Sequence, residues 1–439
     1  MIRMKTKNWP KVAVLATIFL IGAVTNVRAD AVSDWNAIAV NSIVAAGSAR
    51  PGPAGVLDLA TMNAAIYDAV QAIEKDYETY YVDIPGASGS PVAATAKAAY
   101  DVLVNRFPGQ AGPLGVTYQN YLIANGILPT DPGLAVGATA AAGIIALRAC
   151  DGSFPAGPNT FIGGTGIGVW RPTPPANSPM NPGPWLGQVT PFVMTRPTQF
   201  RSEPPPSLDS RRYARDYNEV KRLGSLNNSE RTPDQTDTAY FYAGNFVVMM
   251  NQLVREMAAE HVESISDSSR LFALVSMSQG DAAIATWNDK AFYVFWRPIT
   301  AIQFGDSDGN PRTTGDPAWN SLIVNPPYPD YGSGANSLTA STMGALRRFF
   351  KTDRKRFSIS TTNTGPTNQD IREYDRFSDA AQDVVDARVY LGIHFRFADE
   401  VSRKQGYNVA DFAYKNYLRP LHGNKHGDDD DDDLMVPGN

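Results

Sequence analysis

Cysteine and histidine are nearly absent. The 439 residues contain one cysteine, Cys150, and four histidines. A single thiol excludes an intramolecular disulfide and any cysteine-based metal cluster. Four scattered imidazoles leave little basis for a multi-histidine zinc or iron site. Long apolar runs are also missing. The longest membrane candidate, residues 12–24, has 13 residues, whereas a spanning helix needs about 20. A polytopic membrane protein is therefore excluded. Charged residues make up 19% and apolar residues 43%, a globular balance that rules out a largely disordered chain. The length suffices for one large core or two or three ordinary ones.

Arg3, Lys5, Lys7 and Lys11 form a basic start before the apolar run, and Val27 and Ala29 occupy the −3 and −1 positions before Asp30. This order predicts a secretory signal peptide over residues 1–29; an uncleaved anchor is the alternative. The segment carries five basic residues and no acidic one, so its removal takes the formal charge from −5 to −10. So acidic a chain is a poor partner for nucleic acid, whose binding rests on phosphate neutralisation. The mature chain is expected in the periplasm or outside the cell, with no stable membrane anchoring after cleavage. Having no disulfide, it must be held together by its core.

Apolar residues recur at helical spacing from Leu57 to Ile73, and alanine-rich stretches at 93–104 and 133–150 behave alike. Residues 151–206 hold 13 of the 32 prolines, which removes backbone donors and breaks helix. Trp170, Trp185 and several phenylalanines there predict an ordered, packed excursion. Helical patterns return at 210–223, 238–262, 264–290, 336–350 and 377–417. No run shows sustained strand-type alternation. The expected fold is all-α, a bundle of about a dozen helices in one domain over residues 30–421. The tail, 422–439, contains six consecutive aspartates, 428–433. It reads as a solvated end, with weak divalent-cation binding as the alternative.

Three segments carry chemistry. In the first, Lys290 and Arg297 lie seven apart, near two helical turns, so both cations are expected on one face of an apolar, aromatic stretch. Pro298 places Arg297 near a helix end. Two cations in such surroundings need an anionic partner; two snorkelling surface cations are the plainer alternative. In the second, Gly332-Ser333-Gly334-Ala335 leads into a helical pattern. A small-residue turn entering a helix N-terminus offers backbone N–H groups to an anion. In the third, Arg388 and His394 lie six apart, about 120° off alignment on a straight helix. They converge only if the helix breaks near Gly392. Together the three segments describe a pocket for a highly charged oxyanion.

The order Lys-x6-Arg-Pro, then Ser-Gly, then Arg-x5-His resembles the vanadium haloperoxidase and type 2 phosphatidic-acid phosphatase superfamily, in its exported bacterial haloperoxidase branch. The residues that carry it are Lys290, Trp296, Arg297, Pro298, Ser333, Gly334, Arg388, Gly392 and His394. Further similarity covers residues 62–70, Gly168 to Pro172, 204–208, Arg231 and Thr232. The resemblance implies vanadate as cofactor, with phosphate able to substitute. It implies that Lys290, Arg297 and Arg388 neutralise the oxyanion, that Ser333 and the Gly334 N–H donate to it, and that His394 is the direct vanadium ligand. Lys290 and His394 are then the catalytic candidates. Hydrogen peroxide, activated at the metal, would oxidise a halide to a hypohalous acid equivalent that attacks a small organic substrate. In a phosphatase, His394 would be the nucleophile.

Two departures stand out. The family's acid/base histidine after Ser-Gly is Ala335, which transfers no proton. The aspartate expected four residues after His394 is Ala398, and Asp399 is displaced by one. Asp281, upstream of Lys290, is a candidate partner for one of the arginines. Anion binding should survive these changes. Turnover is expected to be slowed, leaving a slow peroxidase, a phosphatase or a phosphate- or vanadate-binding pseudoenzyme as the functional alternatives.

Overall fold

The computed structural model describes residues 30–421, apart from 158, 180 and 181. The expected signal peptide and acidic tail lie outside the described residues. Thirteen α-helices and one two-stranded hairpin are present among the described residues. The first five helices are α1 (Ala31–Ala46), α2 (Val56–Glu74), α3 (Pro91–Arg106), α4 (Ala111–Ala124) and α5 (Pro132–Arg148). After the proline-rich segment come α6 (Arg211–Leu223), α7 (Pro233–Phe241), α8 (Phe246–His261), α9 (Ile265–Tyr293), α10 (Pro298–Gln303) and α11 (Gly334–Phe350). The hairpin, β1 (Arg354–Ser360) and β2 (Ile371–Arg376), precedes α12 (Phe377–Tyr390) and α13 (Arg396–Asn416).

The core is organised around α2 and α9, both buried along nearly their whole length. Their contact is zipped by polar pairs: Asn63 Nδ2 donates to Ser276 Oγ at 2.7 Å, and Gln71 Nε2 to Ser269 Oγ at 3.1 Å. Such bonds satisfy groups whose burial would otherwise be costly. The alanines of α3 and α5 let these helices approach closely, so that a Cβ on Gly137 would meet the Ala94 carbonyl oxygen. On the other side α11 packs between α9 and α13. One contiguous apolar cluster runs from Val32 to Leu418.

The irregular stretch after α5 contains one short 3-10 turn, Pro184–Gln188, and buries Trp170 and Trp185. Asp281 explains how it is held. Its carboxylate accepts from the N–H groups of Phe192, Val193 and Met194 at 2.6–2.8 Å. It therefore anchors the backbone of this segment and is not a partner of the site arginines.

Three expectations need correction. The pattern over 238–262 is two helices: Asn245 caps α8 by accepting from Val247 N–H at 3.0 Å, and the turn before it contains Gly244. The pattern over 377–417 is also two helices, because Gly392 adopts φ +76° between them. The hairpin was not anticipated. Its inward residues are few, Phe357, Ile359 and Tyr374, and charged residues surround them.

Candidate active site

Lys290 lies on the last turn of α9, which Val294 ends in a left-handed conformation, φ +43°. The following residues run extended. Val294 O accepts from Trp170 N–H at 2.8 Å, and Trp296 N–H donates to Gly168 O at 3.0 Å, which pins this strand to the irregular segment. Arg297 is the N-cap residue of α10. Lys290 and Arg297 thus converge because the chain turns between them, and not because they share one helix face.

Both cations are fully buried. Lys290 Nζ donates to the carbonyls of Pro329 at 2.7 Å and Asp330 at 3.0 Å, and also to that of Gly332. Arg297 donates from Nε to Tyr328 O at 2.9 Å and from Nη1 to Ile393 O at 2.7 Å. Its Nη2 is buried without an acceptor. Burial, then Arg297, holds the Lys290 pKa well below its ordinary value. Burial also lowers that of Arg297. The rings of Trp287 and Tyr328 lie 5.5 and 5.1 Å from Lys290 Nζ, close enough for cation–π attraction.

Arg388, near the end of α12, donates from Nη1 to Tyr242 O at 3.0 Å, and its Nε is buried without an acceptor. Burial pushes its pKa down to about 10. The break at Gly392 then carries the chain round to His394. A Cβ at Gly392 would sit 2.3 Å from Gly224 O, so the turn requires glycine on two counts. Arg396 clamps the far side, with Nε donating to Glu219 Oε2 at 2.8 Å and Nη1 to Asp386 Oδ1 at 2.7 Å. His394 is 2% exposed. Its Nε2 lies 3.2 Å from Arg297 Nη1 and its Nδ1 2.6 Å from Asp330 Oδ1. Burial, followed by Arg297, Lys290 and Arg388, holds its pKa well below the ordinary histidine value.

Ser333 is the N-cap of α11 but makes no side-chain capping bond, and the first N–H groups of a helix have no acceptor within it. A Cβ on Gly334 would come within 2.7 Å of the Trp287 ring, so glycine is needed for this close approach. Ser333 Oγ accepts from Asn336 Nδ2 at 3.2 Å, and Asn336 Nδ2 also donates to Asp399 Oδ1 at 2.8 Å. Asp399 does not reach His394. Its pKa is raised well above the usual carboxylate range by burial, against a hydrogen bond from Ser333.

The structure therefore brings together Lys290, Arg297, Ser333, Gly334, Arg388 and His394, and leaves Asp281 outside. It adds one buried carboxylate that sequence reasoning did not name, Asp330, and sets the displaced Asp399 beside Asn336. Burial pushes Asp330 up to about 7, against the pull of Arg297 and Lys290. The signal for Asp330 was present: two buried cations need an anionic partner, and Asp330 stands three residues before Ser333. A cavity of about 290 Å³ opens at this centre, lined by Arg50, Phe246, Trp287, Tyr328, Ala335 and Arg388 among others. Ala335 faces it.

Three cations, a helix N-terminus and an imidazole suit an oxyanion. Two of the cations keep donor nitrogens buried and unpaired, Arg297 Nη2 and Arg388 Nε, which fits a bound vanadate or phosphate.

Residues 270–423 match the family model of the VCPO second helical-bundle domain. The matched stretch covers less than half of the chain and is consistent with the vanadium haloperoxidase and type 2 phosphatidic-acid phosphatase superfamily. Lys290, Arg297, Ser333, Gly334, Arg388 and His394 all fall within the matched stretch. Vanadium chloroperoxidase from Curvularia inaequalis is 26% identical, over 50% of this chain and 46% of that enzyme. The match thus spans less than half of that relative's length. The structure of the first bacterial vanadium-dependent iodoperoxidase superposes with a TM-score of 0.75 at 21% identity, covering 88% of this chain and 97% of that one. A holo-type bacterial vanadium-dependent chloroperoxidase gives 0.68 at 18% identity, covering 84% and 93%. At these identities the superpositions show the fold alone, an all-α bundle.

Proposed function

We propose that this chain is an exported, vanadate-dependent peroxidase of haloperoxidase type, slowed by the loss of its acid/base histidine. The observation that carries the reading is the convergence of Lys290, Arg297, Arg388 and His394 on the N-terminus of α11 beside an open cavity. Lys290, Arg297 and Arg388 would hold vanadate with the Ser333 hydroxyl and the Gly334 N–H, and His394 would bind it directly. Bound vanadate supplies a Lewis acid that activates hydrogen peroxide toward halide. The protein's part is to neutralise the oxyanion and to exclude water with Trp287 and Tyr328. Proton delivery is the weak point, since Ala335 contributes none.

Peroxide-dependent bromination of a small phenolic reporter should therefore appear after vanadate loading and stay low. Ala335→His should raise it, by about 10²–10⁴-fold if the imidazole acts as general acid/base. Absence of bromination at every pH, in both the native protein and this variant, would contradict the proposal. Ala335 also favours a second reading, a phosphate- or vanadate-binding pseudoenzyme. It predicts anion binding with neither bromination nor hydrolysis of a chromogenic phosphate ester. Ester hydrolysis that vanadate inhibits would indicate the phosphatase chemistry of the superfamily instead.

A further inference from the structure

The position four residues past His394 is Ala398, yet the imidazole does not lack a carboxylate. Asp330 arrives from the loop before α11 and sets Oδ1 2.6 Å from His394 Nδ1. It is fully buried. The contact lies off the N–H axis, since neither atom makes an aligned hydrogen bond, so its character is electrostatic. On the opposite edge Arg297 Nη1 approaches Nε2 at 3.2 Å. A guanidinium can only donate, so Nε2 is the acceptor and the proton of the neutral ring sits on Nδ1, the edge nearest Asp330. Both edges of the ring select the same tautomer. Asp399, the site's other buried carboxylate, accepts from Asn336 through Oδ1.

We infer that Asp330 is the positioning residue of this site, taking over from a different element the role that Ala398 leaves empty. Its carboxylate favours the Nδ1–H tautomer of His394 and so leaves Nε2 as the acceptor edge, the one that faces Arg297. The inference rests on the reading of His394 as a direct ligand. Partners of this kind fix ring orientation and raise ligand basicity. A different role would have the opposite sign: if Asp330 served only as countercharge to Lys290 and Arg297, it would compete with an incoming anion, and its removal would tighten binding.

The test combines two readouts on the wild type, Asp330→Asn and Asp330→Ala. One is the ¹⁵N spectrum of the His394 ring, assigned by its loss in His394→Asn. The other is calorimetric affinity for phosphate and orthovanadate. The wild type should show a protonated Nδ1 and a bare Nε2. Asp330→Ala should shift the ring toward the Nε2–H tautomer and weaken anion binding by about 10–100-fold. Asp330→Asn, whose amide oxygen still accepts, should fall between. A wild-type Nε2–H tautomer, an unchanged tautomer in the variants, or tighter binding by Asp330→Asn would overturn the inference. If the wild type binds neither anion, the oxyanion reading fails, while the tautomer comparison still decides whether Asp330 orients the ring. If Asp330→Ala does not fold, the wild-type spectrum and Asp330→Asn carry the test.

Discussion

Burial keeps a proton off the His394 ring, and Arg297, Lys290 and Arg388 add their repulsion. The folded chain therefore keeps this imidazole neutral, whereas the unfolded chain protonates it near its ordinary value, about 6.5. A depressed pKa contributes stability that is present in full above that value and is lost as pH falls below it. His394→Asn removes the effect. Between about pH 8 and about pH 5, wild-type stability measured by urea unfolding should decline relative to this variant. Parallel pH profiles would contradict the environment described for His394. Gly334 carries a second prediction at this scale. Gly334→Ala would press a methyl group onto the Trp287 ring, and it should weaken phosphate binding more than it lowers the melting temperature.

The elements of the site meet through two chain reversals. One lies between α9 and α10, and the other between α12 and α13. At the second, Gly392→Ala combines positive φ with a clash against Gly224 O. It should cost more than about 1 kcal/mol of stability and displace His394 from Arg388, which thermal melts and phosphate titration would both register. The first of these reversals marks the limit of what the sequence disclosed, whereas Gly392 announced the second. Helical periodicity located most of the helices, and motif spacing located the cations and His394. The turn at Val294 carries no glycine or proline to announce it, so Lys290 and Arg297 read as one helical face. Asp330 was passed over because the required anion was assigned to the ligand. The hairpin escaped because β2 has one buried apolar side chain, Tyr374, among charged neighbours.

At the scale of the whole molecule, the site is not the property of the C-terminal stretch alone. Arg50, Gly52 and Pro53 from the N-terminal part and 244–247 from the middle wall the cavity that Arg388 and Ala335 face. The apolar cluster that joins these parts is continuous from Val32 to Leu418. An anion held at this junction should stabilise the entire chain by mass action, by about 2.7 kcal/mol at 100 times its dissociation constant. The most direct measurement is calorimetric titration of the protein with orthovanadate and phosphate, alongside Lys290→Ala and His394→Ala. Saturable binding of both anions, abolished by Lys290→Ala and weakened most for vanadate by His394→Ala, is the predicted result. A folded wild-type protein that binds neither anion would contradict the assignment of these residues to an oxyanion site.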